Sequence, residues 1–278
     1  MTNKKIALII GGNSGVGKKT AQDLAQENYR IMIVARNREK GEQVVQQLQQ
    51  TTRNSDISFI QADLSTKEAV TKLSRVLSEN VDHLDVLVSS IGIMQPTQQL
   101  TKDGYDQNFV LNYLTHFWLI NALLPLVKKA DQGRILMVGA LPVIVRRLKV
   151  NPPQPVPSTE NYSGMQVTGD ALGGRILLTQ KLAHLLKDTS VTVNIFHPGN
   201  IPDSSYGTES SGLLLKIIGP LFARLSKKNP PIGAMLATDV SLTNTSGQFF
   251  NESGKVVPLP AQFSAQMADQ WWTISSQL

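Results

Sequence analysis

The stretch that decides the fold is Lys5–Ala21, KIALIIGGNSGVGKKTA. Lys4 to Ile10 is an apolar run with β-branched residues, which predicts a buried strand. Gly11, Gly15 and Gly17 follow, and a helix is predicted over 15–27. Glycine is needed where the backbone takes positive φ or must come close to a phosphate. The free N–H groups at the start of the helix then accept a pyrophosphate. Placed after the first strand of a β–α series, the turn reads as a dinucleotide site, with a ligand-free tight turn as the plainer alternative. A phosphate-binding loop for ATP or GTP nearly fits from Gly12 through Gly17-Lys18. Lys19 then stands where a magnesium-binding Ser or Thr is required, so that reading fails.

Outward from this turn, strands and helices alternate. Strands are predicted at 30–35, 57–61, 84–90, 134–139 and 191–196, and a short last one at 247–250. Helices are predicted at 38–50, 67–79, 105–130, 163–187, 213–225, 231–242 and 265–276. Pro125 is expected to kink or end the helix that carries it. Gly164, Gly169, Gly173 and Gly174 weaken the front of the 163–187 helix. The alternation predicts an α/β fold, a Rossmann-like doubly wound parallel sheet of about seven strands with helices on both faces. No linker divides the chain, so 1–278 reads as one domain. Residues 141–161 break the rhythm with five prolines, the mark of a lid or a binding loop.

The end of the second strand reads Ala35-Arg36-Asn37-Arg38. A carboxylate there would bond the ribose hydroxyls of NAD. Arginines suit a 2′-phosphate instead, so Arg36 and Arg38 favour NADP(H) over NAD(H); two solvated arginines are the alternative. Asp63-Leu64, at the end of the third strand, is a weaker candidate for the adenine end.

Bulk composition agrees with a globular protein that takes an anionic ligand. The chain has 278 residues, a net charge of +6 and 17% charged residues. Its basic residues are scattered, which argues against a nucleic-acid arm. It contains no cysteine, which excludes a disulfide framework and thiolate metal sites. His83, His116 and His184 are too dispersed to argue a metal site. A strand begins almost at once, leaving no room for a signal peptide, and no apolar run reaches membrane-spanning length. A cytoplasmic monomer or homo-oligomer is expected.

These features together resemble the short-chain dehydrogenase/reductase family, most closely its retinol-dehydrogenase-like and protochlorophyllide-reductase-like branch. The resemblance rests on Gly11-Gly12-Asn13-Ser14-Gly15-Val16-Gly17, on Ser89-Ser90-Ile91-Gly92, on Asp103-Gly104-Tyr105 with the helix after it, and on His197-Pro198-Gly199. Ser246 to Phe250 and the helix of Trp271 and Trp272 also fit. It implies a nicotinamide nucleotide held by Gly11, Asn13, Ser14, Gly15, Val16, Gly17, Ser90, Gly92, Pro198 and Gly199. It implies a substrate-side flap at about 200–228, and it places Asn112 on the family's active-site asparagine.

The departures lie at the chemistry. Ala140 stands at the family's serine. Counting back through Arg175 to Ala183 puts Thr168 at the tyrosine and Leu172 at the lysine. A rival register keeps Tyr162 as the tyrosine with Gln166 at the lysine, at the cost of a six-residue insertion. Either register loses lysine and serine. A carbonyl reductase needs an acid for the oxygen as hydride arrives. Tyrosine, near pKa 10, can be tuned to this by a neighbouring cation, whereas a threonine hydroxyl cannot. Alanine removes the donor that polarises the substrate oxygen.

Three functions remain open. The protein binds NADP(H) without standard redox catalysis. Or it is an atypical enzyme acting on a small hydrophobic substrate by enone reduction, isomerisation, elimination or cyclisation, drawing on Tyr162, Asp170, His197, Asp203, Tyr206 or an arginine of the 141–161 loop. Or it is a scaffold that binds no nucleotide. If Val143, Ile144 or Val145 fills the cleft, catalysis is disfavoured; a lid over an open pocket favours a substrate.

Overall fold

The computed structural model describes residues 4–201 and 230–278. The helix expected over 213–225, and Asp203 and Tyr206, lie outside the described residues, as does almost all of the expected flap.

Seven parallel strands form one sheet in the order β3-β2-β1-β4-β5-β6-β7. They are β1 (Ile6–Ile10), β2 (Arg30–Ala35), β3 (Ile57–Gln61), β4 (Val86–Ser89), β5 (Arg134–Val138), β6 (Thr192–Phe196) and β7 (Phe249–Phe250). The order reverses between β1 and β4, and the crevice beyond the carboxyl ends of these strands is where such sheets bind ligands. Every residue of β1 and β6 is buried, as expected of strands covered on both faces.

One face of the sheet is covered by α1 (Gly15–Gln26), α2 (Arg38–Thr52) and α7 (Ile232–Thr238). The other carries α3 (Lys67–Asn80), α4 (Gln107–Val127), α6 (Gly164–Leu185) and α8 (Ala265–Ser275). A short helix α5 (Pro142–Val145) follows β5. Helix α4 is long and apolar enough to cross a membrane, but its most apolar stretch is 72% buried inside the protein, as befits a core helix. It continues through Pro125 and ends two residues later, at Val127.

The glycines of α6 do not interrupt it; the helix runs unbroken for 22 residues. Two of them answer a packing need. A Cβ on Gly164 would fall 1.8 Å from the carbonyl oxygen of Gln95, and one on Gly174 would fall 2.2 Å from the Trp271 ring. Trp271 is thereby seated between α6 and α4, edge-on to Tyr113 at 4.7 Å and 82°. The space that glycine leaves on one helix is filled by the largest side chain of another.

Candidate functional site

The glycine-rich turn lies where β1, β4 and α1 meet. Gly11 has φ +80° and Gly15 φ +48°, conformations that favour glycine. A Cβ on Gly17 would lie 2.4 Å from Gly11 O and 2.5 Å from Ser90 Oγ. Close backbone approach, rather than turn conformation, therefore demands glycine at Gly17. Ser90 fixes the opposite wall by donating from Oγ to Ile10 O at 2.7 Å. Ser14 is the N-cap of α1 but its side chain makes no capping bond, so the first N–H groups of α1 are left for another acceptor. Asn13 and Val16, beside it, are half-buried.

At the end of β2 the two arginines differ. Arg38 donates from Nε to Glu42 Oε1 at 2.8 Å, one turn along α2. The Arg36 side chain is exposed and has no partner among the described residues. Asn37 between them caps α2 through Lys40 N. Asp63 is turned onto its own chain, accepting from Ser65 N at 3.1 Å. Leu64 is buried, and its carbonyl accepts from Thr115 Oγ1 at 2.8 Å.

Across the crevice, Asn112 sits in a π-helical segment of α4, Val110–Leu114. Its side chain is saturated: Nδ2 donates to Ile93 O at 2.7 Å and Asn108 O at 2.8 Å, while Oδ1 accepts from Ile93 N at 3.2 Å. Asn112 thus ties the strand-end segment after Gly92 to α4. Arg175, which sequence reasoning did not single out, completes this floor. Its guanidinium, 3% exposed, donates to Asn112 O, to Val138 O at 2.7 Å and to Ile91 O at 2.9 Å. One side chain of α6 therefore clasps the ends of β4 and β5 and the π segment of α4. The signal was an arginine inside the otherwise apolar Ile176-Leu177-Leu178 surroundings. His116 donates from Nε2 to the same Ile91 O at 3.1 Å. Burial, and secondly the charge of Arg175, hold its pKa well below the usual histidine value.

Thr168, Leu172 and Arg175 share one face of α6, since four and seven residues return close to the same side. Thr168 is 3% exposed and its hydroxyl has no partner among the described residues. Leu172 and Ala140 are half-buried, Ala140 packing on the core. Tyr162 stands outside α6, before its capping residue Ser163. Its hydroxyl donates to Asp106 Oδ2 at 2.9 Å and accepts from Asn108 Nδ2 at 2.7 Å. Burial pushes its pKa up to about 12, and the Asp106 carboxylate adds to this. The phenol braces Asp106 against Asn108.

After β6, His197 is buried with both ring nitrogens unpartnered among the described residues, and burial lowers its pKa to about 4. Gly199, two residues on, has φ +74°, and Pro198 between them is half-buried. Ser89 Oγ, at the end of β4, is also buried without a partner. Among the described residues no group of acidic or histidine side chains could hold a metal.

The proline-rich segment is packed onto the body of the protein rather than standing free of it. Val145 is packed into the core, while Val143 and Ile144 are 38% and 43% exposed. Further along it is tacked down by three bonds: Asp106 N to Pro155 O, Gln98 Nε2 to Pro157 O and Trp271 Nε1 to Asn151 O, each 2.8 Å.

Residues 5–148 match the family model described as short chain dehydrogenase. Mouse retinol dehydrogenase 13 is 27% identical over 281 residues, covering 99% of this chain and 83% of that protein. Human retinol dehydrogenase 11 is 29% identical, covering 99% and 85%. Among solved structures, the Pseudomonas aeruginosa RhlG/NADP active-site complex superposes with a TM-score of 0.66 at 22% identity, covering 90% of this chain and 95% of that one. The chain belongs to the short chain dehydrogenase family, in its retinol-dehydrogenase-like branch.

Proposed function

We propose that this protein binds NADP(H) in the crevice at Gly11–Gly17 and does not use it for the serine–tyrosine–lysine carbonyl chemistry of its family. The observation that carries the second half is Tyr162, whose hydroxyl is committed to Asp106 and Asn108 with its pKa pushed up to about 12. The nearest alternative acid, Thr168, is an aliphatic hydroxyl, and Leu172 and Ala140 bring no polar group at all. A nicotinamide bound here would supply or take a hydride. No described side chain at the family's three positions would give or hold the matching proton.

The chain's own groups fit the nucleotide. Gly11 and Gly15 take positive φ, Gly17 has no room for a Cβ against Gly11 O and Ser90 Oγ, and α1 presents uncapped N–H groups at this turn. Arg36, unpartnered among the described residues, can pair with a 2′-phosphate, and the end of β2, Ala35-Arg36-Asn37-Arg38, has no carboxylate to receive ribose hydroxyls, which favours NADP(H) over NAD(H). The RhlG structure, similar in fold, is an NADP complex. The unpartnered atoms of Ser89, Thr168 and His197 supply polar groups for a ligand, since buried polar atoms left unpaired cost about 1–3 kcal/mol each. Those same orphans favour a second reading, an atypical reaction such as enone reduction, which asks less of an acid. Following nicotinamide fluorescence on titration with NADPH and NADH tests the first half. Tight NADPH binding with weaker NADH binding is expected, and binding of neither would overturn the proposal.

A further inference from the structure

A cavity of about 140 Å³ lies on the far flank of α6, between that helix, the proline-rich segment and α8. One water needs only about 10–15 Å³ measured this way, so the space admits a small organic molecule. Phe109, Val167 and Trp271 line its apolar side, and Gln154, Gln166 and Asp170 line its polar side. Asp170 and Gln166 are each two residues from Thr168, about 160° away around the helix, so the cavity faces away from the side that carries Thr168, Leu172 and Arg175.

We propose that this cavity is a second ligand site, which takes a small amine carrying an aromatic or aliphatic body. Asp170 is the reason for the amine. Its carboxylate has no hydrogen bond and no ion pair among the described residues, and no lysine, arginine or histidine lines the cavity. Asp170 is half-buried, and burial alone raises its pKa to about 6. The other ionisable wall group, Tyr162, is already committed to Asp106 and Asn108. An ammonium is the partner that would satisfy Asp170, with the Gln154 and Gln166 amides as further acceptors. The Trp271 and Phe109 rings, both almost wholly buried, give the site an apolar wall.

Phenethylamine and its neutral counterpart 2-phenylethanol test this on the full chain. The reporter is the indole N–H resonance of Trp271, which lines the cavity. At pH 7.5 the amine should bind at least about tenfold more tightly than the alcohol, about 1.4 kcal/mol. Asp170→Asn should erase that preference. Gln166→Lys, which places an ammonium one turn from Asp170, should abolish amine binding as well. NADPH affinity should be unchanged by the amine and by both substitutions, so failure here is distinguishable from failure of the nucleotide proposal. Equal binding of amine and alcohol, a preference that survives Asp170→Asn, or displacement of the amine by NADPH would overturn it.

Discussion

The two walls of the crevice have been treated differently. On the β1–α1 side every constraint of a nucleotide cradle is present: positive φ at Gly11 and Gly15, forbidden space at Gly17, and an uncapped helix start. On the α6 side the backbone frame is equally well kept. Arg175 clasps three carbonyls, Asn112 is saturated, and Gly199 keeps its left-handed turn. What we propose is missing there is side-chain chemistry, at Ala140, Thr168 and Leu172. The contrast teaches that a binding wall and a reacting wall can be held together by one frame and still be under separate demands.

The largest effect is expected at the binding wall. Gly17→Ala forces a methyl to within 2.4 Å of Gly11 O, and the turn must shift. NADPH affinity should fall by about 100-fold or more, roughly 2.7 kcal/mol, read by fluorescence titration. Unchanged affinity would break the comparison by showing that this turn does not hold the nucleotide.

On the reacting wall, His197 offers a pH test. Its folded pKa of about 4 lies below the usual 6.5, so the unfolded chain binds the extra proton first. The stability it contributes is present above pH 6.5 and lost as pH falls toward 4, about 2 kcal/mol of it between pH 7 and pH 5 at about 1.36 kcal/mol per unit. Asp170, with its pKa raised, acts in the opposite sense, since its penalty grows as pH rises through about 6. The difference between wild type and His197→Gln isolates the histidine. Urea midpoints at pH 7 and pH 5 should show the variant losing less stability on acidification.

A smaller effect is expected from Arg36→Ala. It removes the free guanidinium at the end of β2 and should weaken NADPH by about tenfold while leaving NADH unchanged, which sharpens the binding wall to one phosphate. The smallest effect belongs to Tyr162→Phe. Removing a phenol that braces Asp106 and Asn108 should cost about 1 kcal/mol of stability by thermal unfolding. It should leave NADPH affinity, and any turnover, as they were. Loss of a turnover present in the wild type would restore Tyr162 as the family's tyrosine.

Much of the frame could be read from local pattern. Continuous apolar runs marked the buried strands, and Gly11–Gly17 marked the turn, because strand burial and positive φ leave direct traces in residue type. What escaped depends on contacts between distant segments. The clasp of Arg175 joins residues up to 84 apart. Tyr162 is engaged by partners 54 and 56 residues away. Gly164 and Gly174 read as helix weaknesses, yet each is where another segment closes in on α6. Pro125 read as a kink or an end, and α4 runs through it to end two residues later, at Val127.

The most direct test of the account is to saturate the purified protein with NADPH, shown bound by its fluorescence, and follow absorbance at 340 nm while a panel of aldehydes and ketones is added. The account predicts a bound cofactor whose absorbance stays constant with every carbonyl. Steady oxidation of bound NADPH by any of them would contradict it.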